Sequence, residues 1–371
     1  MRILFTLIIL IFFSSCSYDF FSSKIPKTIP NTTQQKQEEK KIIEHKIPSI
    51  KQQLKQNKEL KEKKVQTSPT QKKENLKIAF IGDSHLASDY MSAYFRKKLN
   101  ISSLGFIPPI LPKWHNQYLA TYNNKNFKIS YLINTKNNLS FGGINAVCTN
   151  SCLVDIKLFF QAKKLEQLYL QNSQWKIKKL SNNTKHIYFT SFYTLGGFLS
   201  NNNEYIDNLG INGASVYNYL RVNDAFVKEI AQKLDYSILI FSFGTNEGVV
   251  KYVNEKTFLE NYKKIISLFK TKNSKIVLLI APEPTLYENQ SYKKGESADV
   301  VKKLIYDLAK ELNCYVFDID LLMQKDGGKK AWINSDLSLK NTHLSKKGYD
   351  FVAQKLLEYL IDLDLIKKRK L

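Results

Sequence analysis

Four stretches of this chain are unbroken apolar runs of strand length: "KIAFIG" (77–82), "DYSILIFSFGTNE" (235–247), "SKIVLLIAPEP" (274–284) and "NCYVFDID" (313–320). A strand with no polar face must be covered on both sides, as in a parallel sheet between two layers of helix. Helical spacing fills the intervals, in "SDYMSAYFRKKL", "NDAFVKEIAQKL", "EKTFLENYKKIISLFKT", "SADVVKKLIYDLAKEL" and finally "SKKGYDFVAQKLLEYLI". This alternation predicts an α/β three-layer (α/β/α) fold built on a parallel sheet.

Residues 113–204 break the rhythm. "NFKISYLIN", "CLVDIKLFFQ", "EQLYLQN", "QWKIKKL" and "KHIYFTSFYT" alternate apolar and polar residues between Asn, Ser and Gly turns. The pattern predicts an antiparallel β-sandwich inserted into the α/β domain, which then comprises 77–112 and 205–371. Trp114, Trp175 and the many Tyr and Phe of this stretch are either stacking platforms for sugar rings or the core of the insertion.

The N-terminus sets the expected compartment. "MRILFTLIILIFFSSC" has one Arg, an apolar run from Ile3 to Phe13, then small residues. That is a secretory signal over 1–16, too short to span a bilayer as a stable helix. Its end, "FSSC", resembles a bacterial lipobox, which implies lipidation of Cys16; a plain membrane anchor is the alternative. Residues 17–76 hold 14 Lys against 7 acids and few apolar residues, so they cannot bury enough surface to fold. They are expected to be a disordered tether, with a charged helix near "IKQQLKQNKELKEKK". The expected location is the periplasm, with a lipid anchor in a membrane, taken to be the outer membrane.

The net charge of +23 is mostly lysine, spread along the chain. It suits an anionic polymer or a membrane surface, or simply reflects a preference for Lys and Asn. No nucleic-acid partner is expected. Cys148 and Cys152 flank the turn-like "TNS" in an exported chain, so a disulfide is expected between them. No His or acid cluster accompanies them, and neither a metal nor a cofactor is expected. Cys314 lies in an apolar strand and reads as a core residue.

Polar chemistry gathers at the C-terminal ends of the predicted strands, where open α/β sheets place their sites. The segments are "GDSH" (Ser84), "NGAS" (Gly213), "FGTNE" (Asn246) and "NTHLSKKGYD" (His343). A serine hydroxyl needs an adjacent base to become a nucleophile, and histidine is the usual one. Ser84 stands where a strand turns into a helix, so its N–H faces a developing oxyanion. The Gly213 N–H and the Asn246 amide complete the oxyanion hole.

In order along the chain, "GDSH", "GINGAS", "GTNE" and "HLSKKGY" resemble the four blocks of the SGNH (GDSL-type) hydrolases. The resemblance implies Ser84 as nucleophile, Ser84, Gly213 and Asn246 as the oxyanion hole, and His343 as base. The longer forms "GDSHLASD", "LGFIPP", "NGAS" and "GTNEG" are similar to the branch that handles peptidoglycan O-acetyl groups. That branch carries a carbohydrate-binding-like β-sandwich after its first block. It implies an esterase that deacetylates O-acetylated MurNAc in peptidoglycan through an acetyl-Ser84 intermediate, or alternatively an O-acetyltransferase.

One position departs from the family. Its last block is Asp-x-x-His, with the Asp orienting the base; here Lys340 occupies the Asp position. Three readings follow. Asn341 or a main-chain carbonyl orients His343. Asp336 swings in from upstream. Or the protein is catalytically impaired and serves as a wall-binding lipoprotein. Losing the orienting acid can cost about four decades in rate.

The neighbouring polar residues have plainer readings. Asp83 caps the turn, and His85 packs or faces substrate because it points away from Ser84. Asp89 is a first-turn acid or local partner, and Glu247 is a solvated loop acid or lines the cleft. His45, His115 and His186 show no partner pattern.

Overall fold

The computed structural model describes residues 75–136, 138–288 and 291–367. The signal segment, Cys16, His45 and the tether lie outside the described residues. In chain order the elements begin with β1 (Lys77–Gly82), α1 (Ser84–Ala87) and α2 (Tyr90–Leu99). Then come β2 (Phe106–Ile107), β3 (Ala120–Tyr122), β4 (Lys128–Tyr131), β5 (Ile144–Val147), β6 (Cys152–Gln171), β7 (Gln174–Ser191) and β8 (Thr194–Leu199). β9 (Tyr205–Gly210), α3 (Asp224–Leu234), β10 (Ile238–Ser242), α4 (Thr245–Val249), α5 (Glu255–Phe269) and β11 (Lys275–Ile280) follow. The chain closes with the hairpin β12 (Thr285–Glu288) and β13 (Ser291–Lys294), α6 (Ala298–Leu312), β14 (Tyr315–Asp318), α7 (Ile319–Lys325), α8 (Gly328–Asn334) and α9 (Lys346–Asp362).

Among the described residues, β14, β11, β10, β1 and β9 form a parallel sheet in that spatial order. Its strands are apolar on both faces because both are covered. Ala79, Ile81, Leu239, Phe241 and Leu278 face a core with α3, α5 and α6. Ile78, Phe80, Ile238, Ile240 and Val277 face a second core with α2 and α9. Each fully buried large apolar side chain contributes about 1.5–3 kcal/mol. The helices read as their sequences require: in α6, Val301, Leu304, Ile305 and Leu308 are buried at helical spacing, and Asn313 ends the helix in the left-handed region. The three-layer α/β prediction therefore stands.

β9 escaped the sequence reading because "YIDNLG" is not an apolar run. Its Asp207 is fully buried. The carboxylate accepts from the Gly105 and Phe106 N–H groups and from the Tyr236 hydroxyl.

The strands β3 to β8 of the insertion, with β2 added from just before it, belong to one hydrogen-bonded antiparallel sheet. The intervals between the alternating segments, "AKKL" and "SNNT", lie inside two long strands. β6 and β7 run through them with register shifts between Lys157 and Ala162 and between Leu165 and Glu166. Such bulges bend a strand without ending it. The insertion has its own apolar cluster, including Val154, Ile156, Phe160 and Phe198. Phe106, Phe141, Ile144 and Trp175 instead join the core beneath α3 and α5. Trp175 stacks on Phe226 at 5.6 Å, so it is a core residue. Cys148 and Cys152 form a disulfide across the turn between β5 and β6, and Cys314 is buried.

Candidate active site

β1 delivers Ser84 to the edge of the sheet. Gly82 ends the strand against β10, and a Cβ there would sit 2.1 Å from the Ser242 carbonyl oxygen, so no other residue fits. Asp83 then caps α1: its N–H donates to Ser242 O (3.0 Å), and its carboxylate accepts the His85 N–H (3.0 Å). Ser84 is thereby placed at the start of α1, as expected.

The sheet register aligns the other segments with it, since Gly82 pairs with Gly210 on one side and with Ser242 on the other. The loop after β9 carries Gly213 at φ +72°, a conformation that suits glycine. The helix after β10 carries Asn246, whose side-chain amide donates to Ala214 O at 2.7 Å. That bond locks the amide beside Gly213 and leaves its second N–H for a ligand. His343 comes from the loop before α9, and its Nε2 lies 2.9 Å from Ser84 Oγ. The pair is 259 residues apart in sequence.

The residues expected to orient the base do not reach its ring. The Asn341 side-chain oxygen accepts from the main-chain N–H of His343 (2.9 Å), so it braces the backbone only. Asp336 is exposed, and among the described residues its carboxylate makes no hydrogen bond to His343; its carbonyl accepts from the Ser345 hydroxyl (2.5 Å). Lys340 sits exposed on a turn closed by Leu339 N–H to His343 O (3.0 Å) and Ser345 N–H to Leu337 O (3.1 Å). Nδ1 of His343 has Thr342 Oγ1 at 3.5 Å as its nearest partner, a distance too long for a strong bond. The arrangement is a Ser–His dyad. Burial, reinforced by the Lys329 ammonium, holds the His343 imidazole below its ordinary pKa.

Behind the dyad lie four buried groups. Glu247 is not a solvated acid: it is 2% exposed, accepts the Val216 N–H (2.7 Å) through Oε1, and has Oε2 without a partner among the described residues. Burial pushes its pKa up to about 7, and that of Asp83 to about 6. His85 is buried, with Nδ1 3.1 Å from the Tyr349 hydroxyl and its ring 5.7 Å from that of His343. Asp89 pairs with Arg96, both buried, and accepts the Tyr118 N–H (3.0 Å).

The insertion reaches the site. Asn212 N–H donates to Nε2 of His115 (3.3 Å), and Asn116 N–H to Ala87 O (3.0 Å), so 115–116 are tied to both the Gly213 loop and α1. Trp114 precedes them, 75% exposed. His186 is remote and pairs with Asp155. Among the described residues no cluster of His, Cys, Asp or Glu could hold a metal ion.

The family of GDSL-like lipases and acylhydrolases matches residues 192–351. The chain carries a GDSL-like acylhydrolase domain. The matched stretch of this serine esterase contains Gly213, Asn246 and His343, and Ser84 joins them from upstream through β1. Among solved structures, a peptidoglycan O-acetylesterase is 20% identical with a TM-score of 0.67, over 83% of this chain and 95% of that one. This likeness shows that the two share the SGNH hydrolase fold. An acetyl xylan esterase, also 20% identical, matches 43% of this chain and 82% of its own with a TM-score of 0.34. No curated protein matches the sequence.

Proposed function

We propose that this acylhydrolase is a carbohydrate O-acetylesterase whose substrate is O-acetylated peptidoglycan. The observation that carries the reading is the 2.9 Å contact of Ser84 Oγ with His343 Nε2, beside the braced Asn246 amide. The fold shared with a peptidoglycan O-acetylesterase along most of the chain supports the substrate class.

The chemistry follows from the geometry. Ser84 Oγ attacks the acetyl carbonyl carbon while its proton passes to His343 Nε2. The new oxyanion is met by the N–H groups of Ser84 and Gly213 and by the Asn246 amide. Collapse breaks the bond to the sugar oxygen, which takes the proton from His343. Water, deprotonated by His343, attacks the acetyl-Ser84 and releases acetate. In the proposed setting the chain acts in the periplasm, tethered to the membrane through lipidated Cys16.

The test is acetate release from O-acetylated sacculi by the full chain, beside hydrolysis of a small chromogenic acetate ester. Wild-type release that disappears in both Ser84→Ala and His343→Ala is expected. Acetyl transfer to a muropeptide acceptor without release would identify a transferase instead. Among the described residues no carboxylate meets His343 Nδ1, which favours one further reading, an impaired enzyme kept for binding the wall; no Ser84-dependent turnover of either substrate would establish it.

A further inference from the structure

Two lysines, Lys329 and Lys330, lie in the first turn of α8 in "GGKKAW". The structure buries the first of them, leaving it 6% exposed. A buried ammonium is costly unless it is paired, yet among the described residues no carboxylate lies within ion-pair distance of Lys329. Its hydrogen bond goes to the main-chain carbonyl of Asn341, at 2.5 Å. The side chain of the same Asn341 accepts the His343 N–H at 2.9 Å, and His343 Nε2 meets Ser84 Oγ at 2.9 Å. One residue thus links the buried cation to the base by two short steps, on a loop also held to α8 by the Leu337 and Ser338 N–H groups on Trp332 O (2.7 and 3.1 Å) and closed by the Ser338 hydroxyl on His343 O (3.3 Å).

We propose that Lys329 is a positioning residue for the base, its buried ammonium holding the Asn341 carbonyl so that the loop presents His343 to Ser84 without an orienting carboxylate. This rests on the dyad reading of the site. The same cation opposes the charged imidazole. The groups facing His343 are Ser84 and His85 from α1, Lys329 from α8, and Thr342 and Asn341 of its own loop; Asp83 is buried behind α1, and Glu283 faces Lys329. Lys329 is the cation in this set that pushes His343 down. Burial holds its own pKa down, to about 8, so it is mostly charged at neutral pH. The device fixes the base in place and weakens it at once.

Lys329→Met removes charge and clamp together while keeping the buried stem, and two readouts separate the effects: the His343 midpoint reports the charge, and kcat reports the position of the base. The His343 imidazole is titrated by nitrogen NMR, which reads it whether or not the protein turns over substrate. Its midpoint should rise by roughly half a pH unit, as expected for loss of a nearby unit charge in a partly screened site. The acid limb of kcat/KM on the chromogenic ester should move with it, while kcat falls roughly ten- to hundredfold from misplacement of the base. Asn341→Ala keeps the charge and the Lys329 bond to the main-chain carbonyl but removes the side-chain brace on the His343 N–H, so kcat should fall with the midpoint unmoved. An unchanged kcat in Lys329→Met would overturn the positioning role whatever the midpoint does. If Lys329→Met fails to fold, Lys329→Arg and Lys329→Gln carry the test: Arg must hold the wild-type midpoint and Gln must raise it, and equal behaviour of the two overturns it. Wild type without Ser84-dependent turnover would count against the esterase reading, and the NMR midpoint would still judge the role of Lys329.

Discussion

Replacing Glu247 by Gln should stabilise this protein increasingly as pH rises above about 4.5. The carboxyl is 2% exposed, and burial raises its pKa from 4.5 to about 7. Between those values the folded state holds a proton that the unfolded state releases, so stability falls as pH rises from about 4.5 and levels off above about 7. At 1.36 kcal/mol per pKa unit, the ionised form lowers stability by about 3 kcal/mol at pH 8. Gln mimics the protonated acid, and its side-chain oxygen can still accept the Val216 N–H. The variant should therefore match wild type near pH 4.5 and exceed it by up to about 3 kcal/mol at pH 8. Urea denaturation at a series of pH values gives both numbers. A stability difference that is the same at pH 5 and pH 8 would refute the account. Because Glu247 sits in α4 next to Asn246, the cost of its ionisation falls on the element that carries an oxyanion donor.

Three further outcomes follow from the site. Asn246→Ala should lower kcat on the chromogenic ester by about 10²–10³, the usual loss for one oxyanion donor, with KM little changed; a loss below fivefold would remove Asn246 from the hole. The base must be neutral to accept the Ser84 proton, and burial and Lys329 hold His343 below its ordinary 6.5, so the acid midpoint of kcat/KM should lie below 6.5; a midpoint above 6.5 contradicts this. Trp114→Ala should raise KM for O-acetylated glycan roughly fivefold, as for loss of about 1 kcal/mol of stacking, and leave small-ester turnover intact; parallel losses on both substrates would assign Trp114 to local structure instead.

The parts of this molecule that the sequence discloses are those set by local pattern. Unbroken apolar runs mark β1, β10, β11 and β14 because both faces of a parallel strand are covered. Ser84 and His343 stand out because each is set in a glycine- or polar-rich turn after or before a regular element. What the sequence conceals depends on partners far away. β9 looks polar because the acceptors of its buried Asp207 are spent on Gly105, Phe106 and Tyr236. β6 and β7 look like four strands because bulges imitate turns. Glu247 and Lys329 look solvated because nothing in "GTNEG" or "GGKKAW" announces the layers that bury them. Asn341 stands two residues from the base, and spacing does not fix whether its amide faces the ring or, as here, the backbone.

The pairing of β1 also bears on how the chain can be assembled. Its two neighbours, β9 and β10, begin at Tyr205 and Ile238, long after Lys77 has left the ribosome. During synthesis the strand that leads to the nucleophile is therefore an unpaired apolar segment, waiting for more than a hundred residues to follow. Until β10 arrives no Ser84 environment exists, and until residue 343 arrives there is no base. A nascent or truncated chain is thus catalytically silent, and activity becomes a late reporter that the whole domain has closed.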